Sequence, residues 1–349
     1  MMEVDAAQYF SSYEDLDVHK LMLEDEPRTL AYRNAILNNK EYFKDKVVMD
    51  VGCGTGILSI FCAQAGAKKV FAVEASNLAN LAKEIVKENN FENVIEVIHS
   101  RVEDVTLPNY MKVDAIVSEW MGFYLLHEGM LDSVLYARDR FLKDGGEIFP
   151  ESAAIYIAPC SVSSMYDQWD NVYGVSMKSF SRELRTSKGS KPEILTIKPE
   201  DLLGTEEALC ASKNGFYQGL CLWFECNFPE LPNSTGDSRT VLDTSPKSPP
   251  THWKQTVIVL PDQLEVEEGE PIAFQLEMTR ADATSRRYNL LMTMLDPETI
   301  EHPLPCSCHM TTCILAKTFM MQQAEHAIAK KKEEDAAVLV DEEINDDDD

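Results

Sequence analysis

The sequence predicts an α/β fold of the doubly wound kind, followed by an antiparallel β domain. Three observations predict it. Between Lys46 and about Pro150, short apolar runs alternate with helix-like stretches, the pattern of a parallel sheet covered by helices on both faces. The first apolar run ends in clustered glycines, "DVGCGTG", at the sheet edge where open folds of this class bind ligands. After about Pro150 the helices thin out, and strand-like runs separated by Pro, Gly, Asn and Asp take over.

Taken in order, residues 1–40 read as helical and polar-aromatic, with "YFSSY" and then "HKLMLEDEPRT". Pro27 ends or restarts a helix there. "VVMDVG", "KVFAVEAS", "VIEVIHS" and "VDAIVSEW" read as strands, and "ILSIFCAQAG" and "LANLAKEIVKENN" as helices between them. The β domain is expected from "AAIYIAPC", "GLCLWFECNF", "KQTVIVL", "PIAFQLEMTR" and "YNLLMTML". Its loops are "TSKGSKPE" and "PELPNSTGDSRT". A terminal helix is expected over 314–335, and disorder in "DEEINDDDD".

The balance of 44% hydrophobic and 26% charged residues is that of an ordinary globular protein. No apolar run of about 18 residues occurs, so no membrane span is expected. "MMEVDAAQYF" lacks the basic and apolar regions of a signal peptide. Nine irregularly spaced cysteines suit reduced thiols in cytoplasm or nucleus. The net charge is −27, and residues 325–349 hold 11 acids against 3 lysines. The remaining surplus of acid disfavours nucleic-acid binding and favours cationic partners through long-range attraction.

The glycine loop is specific in what it is not. Glycines stand at 52, 54 and 56, but position 57 is Ile, so the dinucleotide pattern fails. The lysine of a phosphate-binding loop is also missing. With Asp50 leading, the spacing resembles the cofactor loop of S-adenosylmethionine-dependent methyltransferases. Glu74 ends the second strand, 18 residues after Gly56, where an acid can accept both ribose hydroxyls. Glu103 ends the third and suits an adenine amino group.

In "IVSEWMGFYLLHEGML" two acids, Glu119 and Glu128, sit among the most apolar residues of the chain. Carboxylates are rarely buried unless paired. On one helix, their separation at about 100° per residue would put them on opposite faces; on one strand an odd separation also splits them. They converge only through a loop, and Gly122 permits one. Two close carboxylates repel unless a cation lies between them, and a planar guanidinium fits them.

These residues carry a resemblance. "SEWMGFYLLHEGML" resembles the double-glutamate loop of the protein arginine methyltransferases, "YFSSY…H…MLEDEPRT" their cofactor-covering helices, and "PPTHWKQ" their Thr-His-Trp loop. The "LLHE" wording is similar to nuclear, asymmetric-dimethylating (type I) members, and "HPLPCSCHM" to insect ones. The resemblance implies that Glu119 and Glu128 bind the substrate guanidinium. It assigns S-adenosylmethionine to His19, Arg28, Asp50, Gly52, Gly54, Glu74 and Glu103, with Arg28 on the cofactor carboxylate and Phe10 and Tyr13 closing over. Met22 and Met130 line the arginine slot, Met130 on the cofactor side, and Trp120 and Trp253 stand on the substrate side. His252 and Asp25 resemble the pair that removes a proton. Trp169, Asn171 and Tyr173 resemble the base of a dimerisation arm, implying a homodimer and basic, arginine-bearing protein substrates.

The implied organisation is N-terminal helices over 1–40, a Rossmann-like cofactor domain over 41–150, a β-barrel domain over 151–313 with its arm near 160–180, and a charged helix and tail over 314–349. Relative to the family, the β domain is expected to be shortened near 206–218. That shortening raises one alternative, a catalytically weak scaffold that holds arginine peptides. Another is a small-molecule or nucleic-acid methyltransferase, against which the acidic charge and the long β domain argue. "CSCHMTTC" (Cys306, Cys308, His309, Cys313) invites a metal, but it lacks paired C-x₂-C elements, and no metal is expected.

Overall fold

Asp15 caps the first helix and Asp25 the second, so the N-terminal segment folds as a helical pair. The computed structural model describes residues 15–344 apart from 190, 205–209, 237–238, 283–284, 303–305 and 307. Phe10, Tyr13, residues 345–349 and the start of the segment expected to be shortened lie outside them. Helix α1 spans Leu16–Glu24, with the Asp15 side chain accepting from Asp17 N–H. Helix α2 spans Glu26–Leu37. Pro27 sits in its first turn, where a missing N–H costs nothing, so it restarts a helix there. The short α3, Lys40–Phe43, leads into the sheet.

The cofactor domain alternates as expected: β1 (Val47–Val51), α4 (Ile57–Gln64), β2 (Lys69–Glu74), α5 (Leu78–Glu88), β3 (Ile95–His99), β4 (Val113–Val117), α6 (Leu131–Phe141) and β5 (Leu142–Phe149). The strands form one five-stranded sheet in the order β3-β2-β1-β4-β5, and each neighbouring pair is parallel. The order reverses between β1 and β4, which opens a crevice at the carboxyl ends of those strands. Val48, Met49, Val70, Ala72, Ala115 and Ile116 are wholly buried, as strands covered on both faces must be.

The second domain is antiparallel. It comprises β6 (Ser152–Cys160), the helices and hairpin α7 (Ser163–Asp170), β7 (Asn171–Val172), β8 (Val175–Ser176) and α8 (Lys178–Lys188), and then β9 (Glu193–Leu195), β10 (Gly215–Asn227), β11 (Val241–Asp243), β12 (Gln255–Val266), β13 (Phe274–Arg280) and β14 (Tyr288–Met294). The long β10 is central: it pairs with β6, β11 and β12. Strand β9 extends the sheet beside β12, and β13 pairs with β14 as a separate hairpin. Among the described residues the pairing follows these open paths rather than a hydrogen-bonded ring. The final helix, α9, runs Thr311–Ile344, longer than the sequence suggests. Its added residues, "AAVLVDEEI", are mostly compatible with a helix, so the acidic run starts inside it.

One buried cluster joins the domains. It runs from α2 and the parallel sheet to Phe224, Cys226, Phe228, Leu242 and Trp253 of the β domain. Tyr32 meets Phe228 edge to face, with ring centroids 4.9 Å apart. The two domains are therefore packed as one body around the crevice. Among the described residues, no helix is long and apolar enough to cross a membrane.

Candidate active site

The glycine loop after β1 needs its glycines. Gly52, Gly54 and Gly56 take φ of +74°, +54° and +84°, in the left-handed region that side chains avoid. A Cβ on Gly52 would lie 2.4 Å from Met130 Cε. Glu74, at the end of β2, is locked against this loop. Its Oε2 accepts the Gly54 N–H at 2.9 Å, and its Oε1 accepts the Ser76 N–H at 2.8 Å and Oγ–H at 2.7 Å. A carboxylate has about four acceptor sites, so Glu74 is aimed yet retains capacity for a ligand hydroxyl. Glu103 accepts from Ser133 Oγ at 2.8 Å.

Asp50 differs from its expected place. It does not line the cavity but lies beneath the loop, wholly buried. Its Oδ2 accepts from Ser59 Oγ at 2.6 Å, while Oδ1 is buried and meets no donor among the described residues. Burial pushes its carboxyl up to about 7. An orphaned buried acceptor marks a site completed by a polar ligand or ordered water. Asp50 thus supports the loop from below, while the bare backbone of Gly52 and Gly54 and the aimed carboxylates of Glu74 and Glu103 line the cavity and fit S-adenosylmethionine.

Between β4 and α6 the chain makes the loop that the two glutamates require. Gly122 bridges Leu125, and Phe123 bridges His127, in antiparallel fashion. Tyr124, Leu125 and Glu128 take positive φ of 38°, 74° and 58°, a strained path that the surroundings must hold. A Cβ on Gly122 would stand 1.5 Å from His127 O, so only glycine closes this loop. Glu119 and Glu128 both face the same cavity.

Glu119 already holds a guanidinium, though an internal one. Arg28 Nε and Nη2 both donate to Glu119 Oε2, at 3.0 and 2.9 Å, and Nη1 donates to Met22 O at 3.2 Å. The resemblance implies that Arg28 faces the cofactor carboxylate, yet in the structure it sits on Glu119. Both side chains are under a tenth exposed, and a buried cation takes the nearest anion that satisfies its fork. Glu128 is more open, with Arg287 Nε at 3.7 Å and His127 Nε2 at 3.8 Å. Its own N–H donates to Arg286 O at 2.7 Å.

His252 and Asp25 form the expected pair. His252 Nδ1 lies 2.6 Å from Asp25 Oδ2, which also accepts the His252 N–H at 2.8 Å. An ionised carboxylate only accepts, so Nδ1 carries the proton and Nε2 is left as the basic nitrogen. Burial pushes the Asp25 carboxyl up, but hydrogen bonds from the His252 side chain and from the His252 and Arg28 N–H groups outweigh it and hold it below the usual range. Asp25 is buried behind His252 and acts through it.

All of this surrounds one cavity of about 440 Å³, a size suited to a cofactor-sized ligand. His19, Met22, Arg28, Gly52, Gly54, Glu74 and Glu103 line it. So do Glu119, Trp120, Glu128, Met130, His252 and Trp253. Sequence reasoning missed Ser76, Ser133, Tyr32 and Arg286. Tyr32 is a wholly buried tyrosine whose hydroxyl donates to Ser118 O at 2.9 Å. Serines close to an acid were the only available signal, and arginines in "SRRY" gave none.

Known proteins agree with this geometry. Residues 190–294 match the arginine methyltransferase oligomerization subdomain, and residues 35–132 match the model of ribosomal protein L11 methyltransferase (PrmA). The probable protein arginine N-methyltransferase 6.1 of Oryza sativa subsp. indica is 39% identical over 328 residues, covering 81% of this chain and 86% of that one. Protein arginine N-methyltransferase 1 of Saccharomyces cerevisiae is 39% identical over 303 residues, with the same coverage. Among solved structures, the Trypanosoma brucei PRMT1 enzyme–prozyme heterotetrameric complex with AdoHcy superposes with a TM-score of 0.69 at 34% identity, covering 84% of this chain and 98% of that one. A PRMT6–SAH structure gives 0.65 at 31%, covering 80% and 100%. With its glycine loop, its two glutamates on one cavity and this similarity over most of its length, the chain belongs to the protein arginine N-methyltransferase family.

Proposed function

We propose that the chain transfers methyl groups from S-adenosylmethionine to arginine side chains of basic proteins, giving mono- and asymmetric dimethylarginine, with histone tails and Arg/Gly-rich segments as acceptors. The observation that carries this is the shared cavity: Glu119 and Glu128 face it from one loop, while the glycine loop, Glu74 and Glu103 face it from the sheet edge. S-adenosylmethionine, when bound, supplies a methyl group on a sulfonium. His19, Gly52, Gly54, Glu74 and Glu103 are the residues to hold it.

The remaining chemistry belongs to the chain. Arginine is protonated, with a pKa above about 12, so its nitrogens are poor nucleophiles. Two carboxylates draw the positive charge toward the nitrogens they bind and leave more electron density on the attacking one. As the nitrogen–carbon bond forms and the methyl–sulfur bond breaks, that nitrogen gains a positive charge and must lose a proton. We assign that proton to Nε2 of His252, whose side chain lines the cavity, with the Asp25 carboxylate stabilising the imidazolium. Met22 and Met130 line the slot, and their bulk supports placing the second methyl on the same nitrogen. Those two residues and the "LLHE" wording support the type I branch, and "HPLPCSCHM" supports an insect-like member.

A homodimer is part of the proposal. The arm α7–α8 exposes Tyr173, Val175 and Phe180, apolar residues that a partner copy would cover. Work in cytoplasm and nucleus is proposed from the reduced thiols and the basic substrates. The test is mass spectrometry of histone and Arg/Gly-rich peptides after incubation with S-adenosylmethionine. Mono- and asymmetric dimethylarginine are expected; peptide binding without any methylated product would refute the proposal and favour the scaffold alternative.

A further inference from the structure

Outside the cavity, the structure gathers a second set of chemically capable side chains. His302 follows β14, Cys306 and Cys308 lie in the next loop, and Cys313 is in the first turn of α9. We propose that these four residues bind one zinc ion, forming a structural site separate from the methyl-transfer cavity.

The spacings are compatible with a tetrahedral site. The sulfurs of Cys306, Cys308 and Cys313 lie 3.5, 3.4 and 3.3 Å from His302 Nδ1. All four ligand atoms lie within 4.8 Å of one another. Zinc–sulfur bonds of about 2.3 Å and zinc–nitrogen bonds of about 2.0–2.1 Å at tetrahedral angles put S···N edges at about 3.6 Å. The observed spacings sit close to that, before any ion has drawn the ligands to their final lengths.

Hydrogen bonding alone does not account for the cluster. His302 Nε2 is 2.8 Å from Pro297 O. A carbonyl only accepts, so Nε2 carries a proton. Nδ1 then offers one lone pair, or one N–H, and either serves one sulfur rather than three. A cation at the centre serves all four. A histidine that donates its far nitrogen to a backbone carbonyl is also the usual arrangement of a metal ligand, because it fixes the ring and its tautomer. The Cys308 N–H also donates to Cys306 Sγ at 3.5 Å, tying the two sulfur-bearing residues together.

The donor set chooses the metal and the role. Three thiolates and an imidazole are soft ligands that select zinc over hard cations. Four protein ligands leave no open position, so the site is structural. Cys308 and Cys313 are buried, with Cys210 and Met310 packed against them, which shields the ligands from exchange. None of the four lines the methyl-transfer cavity. His309, which the sequence groups with the cysteines, is not among the ligands; its N–H donates to Gly269 O at 2.9 Å, and Gly269 in turn donates to Ala211 O at 2.7 Å. The ion would thus fasten the start of α9 beside Cys210 and Ala211, within the stretch where the β domain was expected to be short.

The test is elemental analysis of the full chain purified under reducing conditions. About one zinc per chain is expected, released by a mercurial thiol reagent, with the cobalt-substituted protein showing thiolate charge-transfer absorption. His302→Ala, Cys308→Ser and Cys313→Ser should each lower zinc content at least tenfold, while His309→Ala and Cys210→Ser retain it. The parent holding no zinc even after incubation with zinc chloride would overturn the proposal. So would full zinc content in Cys308→Ser and Cys313→Ser, or a disulfide among these cysteines in the intact mass. Where a serine variant fails to fold, the cobalt spectrum of the parent decides: no thiolate band, no site.

Discussion

Glu119→Gln separates two roles that the Arg28–Glu119 contact places on one side chain. Glu119 Oε2 accepts two donors from Arg28 and Oε1 accepts the Met121 N–H at 3.2 Å. Glutamine keeps the shape and one oxygen, but its NH₂ must face either Arg28 or Met121 N–H, donor against donor. With both partners under a tenth exposed, solvent screens little. Breaking a buried pair by removing one charge costs about 3–5 kcal/mol; the retained oxygen puts this substitution near the lower end, at about 3 kcal/mol. For a chain of 349 residues that lowers Tm by about 4 °C.

The substitution also releases Arg28. Its freed fork is then available to a carboxylate, the part the family resemblance gives it with the cofactor. Affinity for S-adenosylhomocysteine should therefore hold within about threefold of the parent, or tighten, while methyl transfer falls by about 10²-fold or more because the guanidinium has lost one of its two anions. Thermal unfolding, titration calorimetry with S-adenosylhomocysteine and product mass spectrometry read the three quantities. A Tm within about 1 °C of the parent would refute the buried-pair argument. Turnover at the parental rate would refute the role of Glu119 in the slot. Additive stability losses in a cycle with Arg28→Met would show that the contact carries no coupling.

The other expectations follow from the same geometry. Glu128→Gln should abolish transfer with little change in Tm, because that side chain is 42% exposed and its cation contacts are long; a large Tm loss in thermal unfolding would show a structural role instead. Asp25→Asn should slow transfer by about 10²-fold and alter its pH profile, since His252 Nδ1 loses its acceptor anion; an unchanged profile from pH-resolved initial rates would remove His252 from proton transfer. Gly122→Ala should destroy the glutamate loop, because the added Cβ meets backbone at 1.5 Å; retained activity in the same peptide assay would contradict the loop's path. Asp50 is raised from 3.8 to about 7, so its contribution to stability is full below about pH 4 and is lost as pH rises through about 7. At about 1.36 kcal/mol per pH unit, Asp50→Asn should flatten the stability curve measured between those limits by a few kcal/mol, and a parental slope in chemical denaturation would refute the assignment.

The parallel sheet and the glycine loop were legible because each is written locally: apolar runs of strand length, and glycines where the backbone must turn left-handed. The separation of Glu119 and Glu128 was legible as a contradiction, since no regular element brings them together, and Gly122 supplied the way out. Residues that act from beneath were not legible in the same way. Asp50 has the right place in the chain, yet its carboxylate turns inward to Ser59, and one-dimensional spacing does not distinguish lining from supporting. Arg28 was placed near the cofactor by resemblance, but which anion its fork takes depends on how α2 meets Ser118 and Glu119, just beyond β4. "CSCHMTTC" pairs Cys306, Cys308 and Cys313 with His309 and lacks C-x₂-C elements, so its spacing argues against a metal; the fold brings a different histidine, His302, to the sulfurs.

The shape of the arginine slot depends less on a complete β domain than on how the glutamate loop is held, and the loop is held from three sides. Tyr32 of α2 donates to Ser118 O at 2.9 Å, fixing the loop where it leaves β4. Trp253 Nε1 donates to Met121 O at 3.3 Å, fixing its first turn from the Thr-His-Trp segment. Tyr124 OH donates to Tyr288 O at 3.2 Å, and Glu128 N–H to Arg286 O at 2.7 Å, fixing its far end to the start of β14. Three of these four acceptors and donors are backbone groups of the loop itself, so its positive-φ residues have little freedom to relax. Leu203 and Ala211, described residues on either side of the start of the segment expected to be shortened, share a buried cluster with Tyr124 of this loop, but neither enters the four hydrogen bonds. A shortened β domain therefore leaves the slot's supports intact, provided that β10, β12 and β14 remain paired, which makes an active enzyme the better account of this chain than a scaffold that has lost its chemistry.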